Sequence, residues 1–366
     1  MNLLDEVRPG ANRYISGQGI INQLPEYLQD FENIVIVTGD ASYRVFKNYY
    51  QHAFDYPTFI YDGSASEEDA HRLATDIKTA DVILAIGGGR LIDTAKMVSE
   101  NLGCDLFIIP TLISNCAPYA PVIVVYTQKD HQFKHVGMTL KSSFVTMVDY
   151  DFLLATPRDY LIAGIGDTLA KWYEIEGITR RLKEEDRTAT VRLGITVAKE
   201  IFTTLTTESK AALEALSQKE VTPAFMRIAD SIIALAGCVG GFAGEYGRVA
   251  GAHAIHDALS LLPETHQVLH GFKVAYGIFV QLAYTEDFAE IEKLLPIYEE
   301  LTLPVKLAEV NIDGFDHEKL LPVATFAASC EAPFVLMAPE ITADDILSAM
   351  KTLEAFIKTK QGAKKK

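Results

Sequence analysis

Two sets of residues in this chain are spaced for chemistry. The first is Gly87-Gly88-Gly89, directly after the apolar run 81–86 (DVILAI) and directly before Arg90-Leu91-Ile92-Asp93-Thr94-Ala95-Lys96, which has helical spacing. Glycines at the carboxyl end of a strand let backbone amides approach a pyrophosphate closely, and a helix starting there turns its positive end to the anion. A tight strand-to-helix turn with no ligand would use the same residues. The second set is Asp167, which opens a helical stretch in Gly164-Ile165-Gly166-Asp167, with His253 in Gly251-Ala252-His253-Ala254-Ile255-His256 and His270 in Leu269-His270-Gly271. One carboxylate and two imidazoles make a three-ligand site for a divalent ion, leaving coordination positions for water and substrate. Taken singly, Asp167 reads equally as a helix cap and the histidines as satisfied core residues.

The elements that must hold these residues follow from the alternation of apolar runs. Short β-branched runs at 33–38 (NIVIVT), 57–61, 81–86 and 105–109 are bounded by Gly, Pro or Asp, and the stretches between them, such as 67–79 and 91–101, have helical spacing. Such alternation predicts a parallel sheet with helices on both faces. After residue 157 the character changes: 167–181, 188–206, 223–239 and 273–285 are rich in Ala, Leu, Ile and Glu and predict helices. A chain of 366 residues exceeds the size at which one core stops growing. The expected organisation is an α/β, Rossmann-like domain over 1–156 and an all-α domain over 157–366, packed closely around a cleft.

Composition narrows the partners. With 49% hydrophobic and 22% charged residues the chain is an ordinary globular protein, and its formal net charge of −16 repels nucleic acid and anionic membrane surfaces. The opening MNLLDEVRPG has no cationic segment followed by an apolar one, and no run is read as a spanning helix, so the expected location is cytoplasmic. Cys104, Cys116, Cys238 and Cys330 lack the close pairing of a zinc ribbon or redox motif and read as buried thiols in a reducing compartment. The basic run 358–366 reads as a solvated end.

The triple glycine belongs to a longer pattern, GGGxxxDxAK, which resembles the phosphate loop of the glycerol dehydrogenase and iron-dependent alcohol dehydrogenase superfamily. GIGDxLAxWYE, AHAIHxxL and HGxKVAYG resemble glycerol dehydrogenase motifs and occur in the same order, so the resemblance covers nearly the whole chain. It implies a dehydroquinate synthase-like or glycerol dehydrogenase-like architecture, a nicotinamide cofactor, a divalent metal and a homo-oligomer. It further implies that Gly87, Gly88, Gly89, Arg90 and Leu91 lie at the cofactor phosphates, that Thr111 and Ser114 line the cofactor, and that Tyr126 is near the nicotinamide. Asp167, His253 and His270 become the metal ligands, and His256, one turn after His253, a proton relay near the substrate. Asp40, in Val37-Thr38-Gly39-Asp40, falls at the adenosine ribose, where a carboxylate accepts from the 2′-hydroxyl and repels a 2′-phosphate. That favours NAD over NADP; a helix cap is the other use for this residue.

Three departures from the family pattern bear on the substrate. Iron-dependent members place a fourth ligand, His, four residues after the Asp; here that residue is Lys171, whose ammonium cannot ligate, so the site resembles the three-ligand zinc type. Glycerol dehydrogenases carry an Asp where this chain has Cys116, and a small residue five positions before the first metal histidine, where it has Arg248. One negative charge is lost and two positive ones gained, which suits a carboxylate-bearing small molecule held by a planar guanidinium. The combination resembles the hydroxycarboxylate dehydrogenase branch. The expected activity is NAD(H)- and zinc-dependent interconversion of small 2-oxo acids and 2-hydroxy acids. The alternatives are a glycerol or other small-polyol dehydrogenase and, from another class, a dehydroquinate synthase-like lyase. Lys171 paired with Asp167, and Arg248 as an interdomain strut, would be the purely structural use of those residues.

Overall fold

The computed structural model describes residues 6–52, 54–129 and 132–364. The first five residues of the opening segment, and Lys365 and Lys366 of the basic run, lie outside the described residues.

The strands are β1 (Arg13–Gly17), β2 (Ile34–Thr38), β3 (Thr58–Ile60), β4 (Val82–Gly87), β5 (Asp105–Pro110), β6 (Val122–Tyr126), β7 (Phe133–Met138) and β8 (Val145–Asp149). Six of them form one parallel sheet in the order β1-β8-β5-β4-β2-β3, while β6 and β7 pair as a separate antiparallel hairpin. The helices around the sheet are α1 (Leu24–Leu28), α2 (Asp40–Tyr49), α3 (Glu67–Ile77), α4 (Gly89–Leu102) and α5 (Tyr150–Leu153).

The central strands read as continuous apolar runs because both of their faces are buried. Val35, Val37, Ile83, Ala85, Leu106 and Ile108 point to one face, where they pack with Leu73, Leu91, Ala95 and Ile123. Ile34, Ile36, Leu84, Ile86, Phe107 and Ile109 point to the other, with Leu24, Leu28, Phe46 and Phe152. From β2 the chain moves outward to β3, and from β4 it moves the opposite way to β5. The carboxyl ends of β2 and β4 therefore flank the point where doubly wound sheets bind ligands. Asp40 follows the first of these ends and Gly88-Gly89 the second.

The remaining elements are helices: α6 (Arg158–Thr179), α7 (Ala189–Gln218), α8 (Pro223–Asp230), α9 (Ala236–Ala243), α10 (Gly251–Leu259), α11 (His270–Tyr284), α12 (Phe288–Leu301), α13 (His317–Ala327), α14 (Phe334–Met337) and α15 (Ala343–Lys364), with a few short 3-10 turns and one π-helical turn. That π turn, Ser231–Leu235, joins α8 to α9. Contrary to the expectation that no run suits a membrane, the helical stretch Pro223–Tyr246 is long and apolar enough to cross one, with mean hydropathy 1.5 over an 18-residue window. Within this fold 67% of that window is buried, and Ile228, Ile232, Ile233 and Val239 are core residues.

Contacts divide the chain into two compact units. One comprises Arg8–Leu161 with Ala211–Cys238, the other Ile162–Lys210 with the chain from Val239 onward. A single boundary near residue 157 would assign 211–238 to the helical part; the contacts place it with the sheet. The reason is local: the Tyr14 and Tyr150 hydroxyls each donate to the Asp230 carboxylate at 2.7 Å, and Gly237 lies against Tyr119.

Candidate metal centre and cofactor loop

Three helices of the second unit bring the acid and the histidines together, and glycines set how closely they cross. A Cβ on Gly271 would overlap the Ala163 carbonyl oxygen, and one on Gly166 would come within 2.8 Å of the Gly271 carbonyl oxygen. A Cβ on Gly277 would overlap the Ala252 carbonyl. Backbone therefore meets backbone where α6 crosses α11 and where α10 crosses α11. Asp167 is the neighbour of Gly166, His270 of Gly271 and His253 of Ala252, so each close approach delivers an adjacent side chain.

Asp167 Oδ1 lies 3.2 Å from His253 Nε2 and 3.2 Å from His270 Nε2. All three donor atoms fall within 4.8 Å of one another. Ligands each about 2.0–2.2 Å from one tetrahedral ion would be separated by about 3.3–3.6 Å, so the donor set fits a single divalent ion with little adjustment. Asp167 and His253 are buried, whereas the His270 side chain is 42% exposed. The cluster is thus anchored on the inside and open to solvent at His270.

Each histidine is held from its far nitrogen. His253 Nδ1–H donates to Glu174 Oε2 at 2.8 Å. His270 Nδ1 lies 2.9 Å from His256 Nε2, whose own Nδ1 is 2.8 Å from Asp257 Oδ1. Both ring nitrogens of His256 are therefore occupied, and it bears on the site through His270. Burial alone would push the Asp167 carboxyl up, but the His270 and His253 imidazoles hold it well below the usual carboxylate range. Burial opposes charge on His253, yet Glu174 and Asp167 raise it to about 9. Burial and the neighbouring His270 keep His256 down at about 3, so it stays neutral.

Glu174, the last residue of GIGDxLAxWYE, carries no signal in the sequence that marks it as part of the cluster. It follows Asp167 by seven positions, two helical turns, and so shares its face of α6. Lys171 stands between them, buried, and its Nζ donates to the Arg248 carbonyl oxygen at 2.6 Å. Lys171 thus ties down the 248–250 segment rather than bonding Asp167. The Arg248 side-chain stem packs over Gly240. Among the described residues, no hydrogen bond or ion pair involves its guanidinium. The Cys116 carbonyl accepts from Tyr119 and Ala120 N–H at 3.0 and 2.9 Å, closing the turn after β5. Of the four thiols expected to be buried, Cys104 and Cys238 are, whereas Cys116 is half-buried and Cys330 is exposed.

In the first unit, the glycine loop is built to leave backbone amides uncovered. Gly88 caps α4, and the first bond back into the helix is Ile92 N–H to the Gly88 carbonyl at 3.0 Å. The N–H groups of Gly89, Arg90 and Leu91 precede that bond and need acceptors from outside the helix. The Leu91 side chain is 1% exposed and belongs to the core, so only its backbone is available to a ligand. Arg90 lies over the Tyr126 ring at 5.0 Å. Thr38 Oγ1 donates to the Ile86 carbonyl at 2.7 Å and Thr111 N–H to the Gly87 carbonyl at 3.1 Å, aligning the ends of β2, β4 and β5. Ser114 is half-buried beyond Thr111, and Asp40 is exposed at the first turn of α2. Asp93 and Lys96, the D and K of GGGxxxDxAK, pair at 3.1 Å inside the fold, a role that the pattern alone does not reveal. Lys96 Nζ donates to the Val122 carbonyl at 2.6 Å and Asp93 Oδ2 accepts from Val124 N–H at 3.1 Å, so the pair fastens β6, and with it Tyr126, to the helix that starts at the glycines.

Residues 11–149 match the iron-containing alcohol dehydrogenase family. The chain is 33% identical to hydroxycarboxylate dehydrogenase A of Escherichia coli, an alignment covering 95% of this chain and 97% of that one. It is also 33% identical to glycerol dehydrogenase of Thermotoga maritima, over 94% of this chain and 95% of that one. Its fold superimposes on the crystal structure of a probable glycerol dehydrogenase from Sinorhizobium meliloti with a TM-score of 0.86 and 26% identity, covering 97% and 99% of the two chains. Likeness of that extent, joined to a cluster of one carboxylate and two imidazoles, identifies the chain as a dehydrogenase of the glycerol dehydrogenase and iron-containing alcohol dehydrogenase superfamily.

Proposed function

We propose that this dehydrogenase transfers hydride between NAD(H) and a small alcohol or its carbonyl counterpart, with 2-oxo acids and 2-hydroxy acids as the preferred pair. The observation that carries the choice of acid is Arg248, whose guanidinium has no hydrogen-bond or ion-pair partner among the described residues and whose backbone is tied by Lys171 to the helix bearing Asp167. Asp167, His253 and His270 would hold a divalent ion, zinc by its ligand set, supplying Lewis acidity at the substrate oxygen, while NAD(H) supplies or accepts the hydride.

The chain's own residues do the rest. Backbone N–H groups of Gly89, Arg90 and Leu91 bind the pyrophosphate, and Asp40 accepts from the ribose hydroxyls, selecting NAD. Thr111, Ser114 and Tyr126 line the cofactor. Arg248 receives the substrate carboxylate in two parallel hydrogen bonds. Cys116 brings no carboxylate that would repel that anion. His256 orients His270 through Nε2, and the proton exchanged with the substrate passes at the solvent-open side of His270. We assign the protein to the cytoplasm, with its buried Cys104 and Cys238 thiols kept reduced, and to a homo-oligomer.

The chain is as identical to one glycerol dehydrogenase, 33%, as to the hydroxycarboxylate enzyme, and that favours a second reading, oxidation of a small polyol. A panel of 2-oxo acids, hydroxyketones, aldehydes and polyols, followed by nicotinamide absorbance with and without chelator, separates the two. The first reading requires 2-oxo acids to show the highest kcat/KM, and Arg248→Ala to lower it by roughly 30-fold or more while sparing an uncharged ketone, since removing one side of a desolvated charge pair costs about 2–5 kcal/mol. Lys171→Ala should act in the same sense but less. A preference for glycerol, or equal slowing of charged and uncharged substrates by Arg248→Ala, decides for the polyol.

A further inference from the structure

Glu174 is 1% exposed, and both of its oxygens are committed. Oε1 accepts from the backbone N–H of Ala250 at 2.7 Å and of His253 at 3.0 Å, while Oε2 faces His253 Nδ1 at 2.8 Å. The first two bonds cap α10, whose N-cap residue Ala250 has no side chain to do so. Gln281 Oε1 completes the cap from α11 by accepting from Ala252 N–H at 3.1 Å, an approach open because position 251 is glycine. The third bond acts on the ring. A carboxylate offers no proton, so the imidazole must keep a hydrogen on Nδ1, and in the neutral ring that could ligate an ion the lone pair is on Nε2. Nε2 is the atom that points at Asp167 Oδ1.

We propose that Glu174 is a positioning residue that locks His253 in the Nδ1–H tautomer and so makes its Nε2 a permanent ligand; this rests on the reading that the cluster binds a divalent ion. Capping and locking are separable because they use different oxygens. In Glu174→Gln the amide oxygen must stay on the two backbone N–H groups, since the alternative rotamer would set an NH2 against two donors. The NH2 then faces His253 Nδ1, which has to accept, moving the ring hydrogen to Nε2 and onto the position of the ion. Carboxylates that orient metal-bound histidines are typically worth 10–100-fold in metal affinity. On the opposite side, His270 is oriented by another imidazole, His256, and is half exposed, so water can replace its partner; Glu174 has no such substitute.

The test is the zinc dissociation constant of the metal-stripped full chain, measured by competition with a chromogenic chelator, alongside thermal unfolding. Wild type is compared with Glu174→Gln, with Gln281→Met, which loses the cap bond on the same turn and the Nε2–H bond to the Tyr173 carbonyl without touching the ring, and with His270→Ala. The lock predicts 10–100-fold weaker zinc binding for Glu174→Gln, with an unfolding temperature close to that of Gln281→Met, and less than about threefold weakening for Gln281→Met. Unchanged affinity in Glu174→Gln, or equal weakening in both variants, overturns the lock and leaves Glu174 as a helix cap. Wild type binding zinc no better than His270→Ala overturns the metal reading itself, and the lock with it.

Discussion

The glycine loop after β4 and the Asp167–His253–His270 cluster are built on opposite principles. The loop is a site made by omission: the N–H groups that would hold phosphate are supplied by any residue, and what matters is that no side chain covers them. Even its neighbours enforce this, because a Cβ on Gly89 would come within 2.8 Å of the Asn115 side chain. The carboxylate–imidazole cluster is made by supply: three particular side chains from three helices, with each imidazole held by a further one. A site of the first kind should fail when something is added, and a site of the second when something is removed.

The largest effect should come from removal at the cluster. His270→Ala should lose the bound ion and lower kcat by about a thousandfold or more, because the Lewis acid contributes several kcal/mol. Its side chain is half exposed, so no core cavity follows and circular dichroism should be unchanged. Full activity after exhaustive chelation, with no metal by elemental analysis, would end the metal reading. Addition at the loop comes next. Gly88→Val should weaken NADH binding by roughly 10- to 100-fold, as measured by fluorescence titration, and leave zinc content intact. If zinc content fell as well, the contrast between the two sites would be broken.

Smaller still is a change of selectivity without loss of either site. Asp40→Ala should narrow the preference for NADH over NADPH by about five- to thirtyfold, the worth of a partly solvated repulsion. A wild-type preference for NADPH would refute the role given to Asp40. The smallest effect should be Asp257→Asn, which disturbs only the outer end of the His270–His256 chain; zinc affinity should fall by less than about threefold. A loss as large as that of Glu174→Gln would show that the exposed histidine is as tightly governed as the buried one.

The same contrast explains what could be read from the sequence. The loop is contiguous, so glycines, strand and helix appear together, and β2, β4 and β5 announce themselves because burial on both faces makes them unbroken apolar runs. β1 and β8 were not among the runs singled out; β1, RYISG, is a half-exposed edge strand with no run to display. The cluster residues were nameable as a set only through ordered motifs that resemble a family, since nothing in the spacing of residues 167, 253 and 270 says that their helices cross. Glu174 was in view inside one such motif. Its partners are backbone N–H groups and a ring some 76–79 residues away, which no local pattern encodes. Lys171 was weighed as a pocket charge, but a backbone carbonyl as its partner leaves no trace in composition.

The crossing of α6 and α11 at Gly271 has a mechanical side. A second backbone contact, Gly277 against Ala252 of α10, lies six residues or about 9 Å further along the same helix. Two such contacts hold the first turns of α11 against tilting as well as against approach. His270 lies beside the first contact, whereas the far end at Tyr284 lies about 10 Å beyond the second. His270 therefore sits at the clamped end of the helix. Bending and sequence drift along the outer turns of α11 are thereby absorbed away from His270, and the spacing of the cluster can persist while the rest of the helix changes.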